Sequence, residues 1–219
     1  MVMKCPRCVQ KIHRAADACP HCGFALEAAD LQFGGRELHL RCLADTAGLL
    51  RREERERVEA AMGQFRQRFP QLFFAIYTGA LGEVAHLRRF GFWLLNRARF
   101  ADLPRGTSNA AGILLTIDPV SKAAGMTFGY LLDAFLEEAD TFDCLARAHS
   151  HWLEGRHADG MIKVLDQLAW VLRKRSRQAR HHPQRFARKV LAPTPSGTAA
   201  AARTHGGYRS ETDPEEESR

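Results

Sequence analysis

Nothing in this chain stays apolar long enough to cross a bilayer, since no uninterrupted hydrophobic run approaches about 18 residues. The opening, Met1-Val2-Met3-Lys4-Cys5, runs straight into a cysteine motif and leaves no room for the apolar core of a secretory leader. There is no internal repeat and no glycine-rich phosphate loop of known spacing. No Ser/His/Asp or Cys/His pairing stands in a context that would make a nucleophile. These absences argue against a membrane-spanning or secreted protein, a P-loop enzyme and a triad hydrolase. They point to a soluble, cytoplasmic chain.

Against those gaps stands one dense signal. Cys5, Cys8, Cys19 and Cys22 form two C-x-x-C knuckles. A two-residue spacer lets the turn between paired cysteines aim both sulfurs at one ion, and four thiolates satisfy tetrahedral Zn²⁺ without an open position. The second knuckle continues Cys19-Pro20-His21-Cys22-Gly23, with a proline that stiffens the turn and a glycine suited to positive φ. The pattern resembles short bacterial zinc ribbons. Two disulfides or a redox C-x-x-C are the alternatives, but neither a leader nor a βαβ pattern accompanies the cysteines. Zn²⁺ is therefore expected as a structural ion, with His13 and His21 as surface groups beside it. Metal binding would supply the folding free energy that so short a segment cannot obtain from apolar burial. Cys42 and Cys144, each in apolar surroundings, read as buried free thiols.

The net charge of +7 is unevenly spread. From Arg173 to Lys189 there are eight Lys or Arg, two His and no acid, whereas Glu211 to Glu217 is acidic. The basic stretch could meet nucleic-acid phosphates or an anionic membrane surface. It contains a single aromatic, Phe186, so base stacking has little to work with and only weak, salt-sensitive binding is expected. The same residues also complement a helix C-terminus.

The sequence divides into a ribbon at residues 1–26, a linker at 27–36 holding Gly34-Gly35, a domain at 37–175, and a tail at 176–219. The tail is basic at first, then low in core-forming residues, and disorder is expected from about Lys189. Residues 37–42 alternate like a short strand. Val58, Met62, Phe65 and Phe69 form one helical stripe that Pro70 ends. Leu72 to Thr78 reads as a buried strand, and Glu83 to Phe100 as a helix carrying Val84, Leu87, Phe90, Leu94 and Leu95 on one side. Gly112 to Pro119 is a central strand, residues 123–129 its hairpin partner, and Tyr130 to about Arg175 is helical with breaks near Gly155 and Gly160. This order predicts an α/β fold: a three-layer α/β/α sandwich on a small mixed sheet, preceded by a small zinc ribbon that folds as a separate unit.

Residues 43–174 resemble a TPM domain, the family of thylakoid acid phosphatase and photosystem-repair proteins. The resemblance rests on Leu43 to Leu50 followed by Glu53-Glu54, on Asn109 to Leu115, on Asp118 to Lys122, on Gly129-Tyr130 with Leu132-Asp133, and on Leu153 to Val171. Leu131 stands where the family has a second glycine. The resemblance implies an α/β/α sandwich, with phosphatase activity in part of the family.

Asp45, Asn109, Asp118 and Asp133 fall near strand ends or adjoining loops. Ligands gather at the carboxyl ends of strands in open α/β sheets, so these oxygens could converge on Ca²⁺ or Mg²⁺, with a phosphate ester completing the shell. Each also fits a local role: Asp45 as a helix cap, Asp118 in a turn with Pro119, Asp133 at a helix N-terminus. His149 and His151 are two apart and point to different faces of a helix, and His157 lies past Gly155 in a turn. The leading expectation is an interaction or small-ligand module with an unidentified protein partner. A metal-dependent phosphomonoesterase at the acidic cluster is the alternative, and weak nucleic-acid binding by ribbon and tail a third.

Overall fold

The computed structural model describes residues 2–13, 16–35, 37–81, 84–184 and 186. It begins with an antiparallel hairpin of β1 (Val2–Lys4) and β2 (Lys11–His13), in which Met3 pairs with Ile12 in the backbone register. Helix α1 (Leu26–Phe33) follows. The larger fold is an α/β sandwich. Its four-stranded sheet has the order β4 (Leu43–Asp45), β5 (Phe73–Thr78), β7 (Gly112–Asp118) and β8 (Ala123–Phe128). The first three are parallel, and β8 returns antiparallel as a hairpin. A separate parallel pair joins β3 (Leu38–Leu40) to β6 (Ala98–Phe100).

Strand β7 is buried at every position, as a central strand covered on both faces must be. On one face, Phe74 and Ile76 of β5 and Ile113, Leu115 and Ile117 of β7 meet α2 (Arg52–Arg68), α4 (Glu138–Leu153) and α5 (His157–His181). The expected stripe of α2 delivers Val58, Phe65 and Phe69 to this core, and the helix ends where Phe69 precedes Pro70. On the other face, Phe73, Ala75 and Leu114 meet Phe90, Trp93, Leu94 and Leu95 of α3 (Val84–Arg97).

Four expectations change. Residues 27–36, read as a linker, lie largely within α1, whose Ala29 is fully buried. The cysteine knob is accordingly not a detached unit. Cys5, Ile12, Cys19, Phe24 and Ala29 share one hydrophobic cluster with α3 and the sheet. Phe24 meets Phe92 edge-on at 6.0 Å, and Phe33 meets Phe90 at 5.4 Å. Burying Phe24 alone is worth about 1.5–3 kcal/mol. Polar contacts reinforce the junction: Asp30 accepts from Trp93 Nε1 at 3.0 Å and from Arg97 Nη2 at 2.7 Å, while Glu138 pairs with both Lys4 and Arg88.

The helical tract also differs in detail. Gly155 does break it, with φ +74°, but Gly160 lies buried inside α5. A Cβ there would overlap the Trp152 indole, so this glycine serves the close crossing of α4 and α5 instead of ending a helix. Finally, α5 continues to His181, six residues past the expected end. The tail expected to be disordered from about Lys189 lies outside the described residues. Among the described residues, no helix is long and apolar enough to cross a membrane.

Candidate functional site

Two loops of matching conformation build the cysteine cluster. In the first, Val9 N–H donates to Cys5 O at 3.0 Å and Cys5 N–H to Gln10 O at 2.9 Å. In the second, Gly23 N–H donates to Cys19 O at 2.8 Å and Cys19 N–H to Phe24 O at 2.8 Å. The residue after each closing cysteine is left-handed: Val9 has φ 63° and Gly23 φ 69°. Glycine fits that conformation, as the sequence implied, whereas a β-branched valine resists it.

The four Sγ atoms lie within 4.8 Å of one another. Cys5 to Cys22 and Cys8 to Cys19 are both 3.7 Å. That distance is far beyond a disulfide bond of about 2.0 Å. It matches the edge of a tetrahedron with metal–sulfur bonds of about 2.3 Å, which is about 3.8 Å. The cluster could thus hold one metal ion, all four positions coming from the chain. His13 and His21 are not part of it. Burial opposes the Cys19 thiolate, but the N–H groups of His21 and Cys22 and the neighbouring thiols outweigh it and lower its pKa to about 6. Cys42 and Cys144 are buried free thiols in the two different cores, and burial pushes Cys144 up to about 12.

The four candidate oxygen ligands do not converge. Asp45 and Asp118 end parallel strands β4 and β7 on one side of the sheet. Asn109 precedes β7, and Asp133 follows β8, whose last residue, Phe128, pairs with Ile113 at the start of β7. The two pairs are separated by the length of β7, about 20 Å at roughly 3.3 Å per residue.

Their oxygens are also largely committed. Asp45 accepts from Thr78 Oγ1 at 2.5 Å, Leu49 N–H and Leu50 N–H at 3.0 Å each, and Arg55 at 3.3 Å. Burial opposes its charge, but these donors prevail and hold the carboxyl below its ordinary range. Asp118, fully buried, accepts from the N–H groups of Leu81, Val120 and Ser121. Here too burial raises the pKa, but the N–H donors outweigh it and lower it overall. The amide of Asn109 donates to Ala98 O at 3.3 Å. Asp133 is the exception: burial pushes its carboxyl up, and its Oδ2 is sealed without a partner. Asp118 thus makes the turn its sequence context suggested, whereas Asp45 fastens the loop ahead of α2, whose cap is Arg51.

Two features escaped the sequence. At the carboxyl end of β7, His149, Trp152 and His157 line a cavity of about 180 Å³ with Pro119 and Lys122. Trp152 Nε1 and His157 Nδ1 are buried there without hydrogen-bond partners. His157 starts α5 instead of lying in a turn. On the outer side of α5, Trp170 is 49% exposed beside Arg173, Lys174 and Arg177. Its spacing of four from Lys174 was visible, but it precedes the basic stretch.

No family model matches the sequence, and no curated protein matches it. Among solved structures, the chain is similar to the N-terminal domain of a protein from P. gingivalis, with 20% identity, coverage of 60% of this chain and 82% of that one, and a TM-score of 0.47. It is also similar to the N-terminal domain of the cg2496 protein from Corynebacterium glutamicum, with 11% identity, coverage of 62% and 82%, and a TM-score of 0.43. Neither likeness brings a function to this chain.

Proposed function

We propose that this chain is a zinc-ribbon, TPM-like module that binds a partner, and that it does not turn over a phosphate ester. The observation that carries this reading is the commitment of Asp45 and Asp118 to the chain's own donors, about 20 Å from Asn109 and Asp133 by strand rise. A metal-dependent phosphatase needs free oxygens gathered around one cation. The sulfur cluster suits Zn²⁺ as a structural ion, because four thiolates leave no position for an activated water. Cys42 and Cys144, unpaired in two different cores, accord with a reducing compartment, and we infer a cytoplasmic protein.

One cavity favours a second reading, a small-ligand module. Lys122, His149 and His157 line it and offer hydrogen-bonding groups to a small polar guest. Three measurements separate binding from catalysis. Metal analysis should return one Zn²⁺ per chain. Adding Ca²⁺ or Mg²⁺ should leave the backbone NMR signals of Asp45, Asp118 and Asp133 unmoved. Aryl phosphate should hydrolyse at the background rate. Ion-dependent hydrolysis that falls on Asp118→Asn would replace the binding reading with an enzymatic one.

A further inference from the structure

Helix α5 buries Val164, Leu165, Leu168, Val171 and Leu172 and turns its other side to solvent. Trp170, Arg173, Lys174, Arg177, Gln178 and His181 recur at helical spacing and line one open hollow of about 500 Å³ with His182. The Trp170 ring carries Lys174 Nζ at 5.1 Å from its centroid. Arg175 points away and pairs with Asp140 of α4 at 3.3 Å. Among the described residues, Arg173, Lys174, Arg177 and Arg180 have no carboxylate partner, so their charge is available. The sequence continues basic through Arg185, Arg188 and Lys189.

We propose that this face of α5, built on Trp170 with Arg173, Lys174 and Arg177, binds single-stranded nucleic acid. The inference rests on reading the chain as a binding module and names its partner class. Cations at successive turns offer phosphate contacts, and an accessible indole among them offers a stacking platform. A duplex keeps its bases stacked on one another and has no free ring face for Trp170; an unpaired strand does. A membrane suits the face less well. An interfacial helix inserts its apolar side, and the apolar side of α5 is already spent on the core. The scarcity of aromatics within residues 173–189 had argued for weak contact at most, and Trp170 supplies the missing ring from one turn earlier.

The test uses the full zinc-loaded chain and dye-labelled mixed-sequence 12-mers of single-stranded RNA and DNA. Fluorescence anisotropy should show binding whose log affinity falls against log salt with a slope of about −2 to −3, from three or four phosphate contacts. Trp170 fluorescence should quench on binding. Trp170→Ala should weaken affinity by about tenfold with the slope unchanged, whereas Arg173→Glu with Arg177→Glu should abolish binding. All three sites are exposed, so circular dichroism should report an unaltered fold. A duplex of equal length should bind more weakly. Absent binding at about 50 mM salt, equal affinity for duplex with no effect of Trp170→Ala, or binding to anionic phosphatidylserine vesicles alone would each overturn the proposal. Such a failure leaves the non-enzymatic reading standing, because only ion-dependent turnover removes that.

Discussion

Replacing Asp30 by alanine tests whether the cysteine knob and the sandwich are one structural unit. Its carboxylate accepts three hydrogen bonds from α3: Trp93 Nε1 at 3.0 Å, Arg97 Nε at 2.9 Å and Arg97 Nη2 at 2.7 Å. The side chains of Arg97 and Asp30 are 24% and 10% exposed. Breaking a fully buried pair costs about 3–5 kcal/mol, and a surface pair about 0–1. A pair at this depth falls between, and the Trp93 N–H is orphaned as well, so Asp30→Ala should cost about 2–3 kcal/mol. For a fold of this size that corresponds to a fall of about 5–10 °C in Tm. Urea denaturation of the metal-loaded protein, followed by the fluorescence of buried Trp93, measures it. Asp30→Asn keeps an acceptor and should lose about half as much. Arg97→Ala combined with Asp30→Ala should cost much less than the sum of the two single changes. A loss below about 0.5 kcal/mol for Asp30→Ala would refute the reasoning and return α1 to the status of a tether.

Other substitutions probe separate features. Val9→Gly relieves a left-handed valine that is 42% exposed and has little packing to lose. The relief of about 1–2 kcal/mol, less about 1 for chain entropy, should slow metal loss to a chelator by up to about fivefold. Gly160→Ala places a methyl against the Trp152 indole and should lower stability by about 1–3 kcal/mol, although alanine is the better helix former; an unchanged denaturation midpoint would refute that packing. The Asp45 carboxyl is held below its ordinary range, so its contribution is present above an unfolded pKa of about 3.9 and lost as pH falls through the folded value. Asp45→Asn should therefore cost about 2 kcal/mol near pH 7 and progressively less as pH falls through the folded value, read from denaturation midpoints across an acid series. Asp133 runs the other way: its raised pKa makes the charged form costly above pH 4, so Asp133→Asn should leave stability at pH 7 equal or higher.

Local periodicity made much of the scaffold legible. Val58, Phe65 and Phe69 announce α2 by spacing alone, and the aromatic run before Gly79 marks β5. Gly23 could be read as left-handed because the knuckle geometry demands it. Long-range pairing was harder to see. The span 27–36 read as a linker because of Gly34-Gly35, yet Leu26, Ala29 and Phe33 share one short helical face. Asp30 gains its meaning only from Trp93 and Arg97, which lie 63 and 67 positions away. The dispersal of the acids, by contrast, was within reach. Residues 123–129 were read as an antiparallel return, and that return carries Asp133 to the end of the sheet opposite Asp118. Trp170 stands outside the basic stretch because charge density, not the face of the helix, delimits that stretch in the sequence.

The junction between α1 and α3 bears on how the chain emerges during synthesis. The knuckles and α1 leave the ribosome long before Arg97, which follows Asp30 by 67 residues. At about 5–20 residues per second, this is an interval of several seconds. During it Phe24 and Phe33 have no α3 to cover them. An ion captured early would hold the knob in shape through that wait and give the arriving helix a preformed surface to condense on.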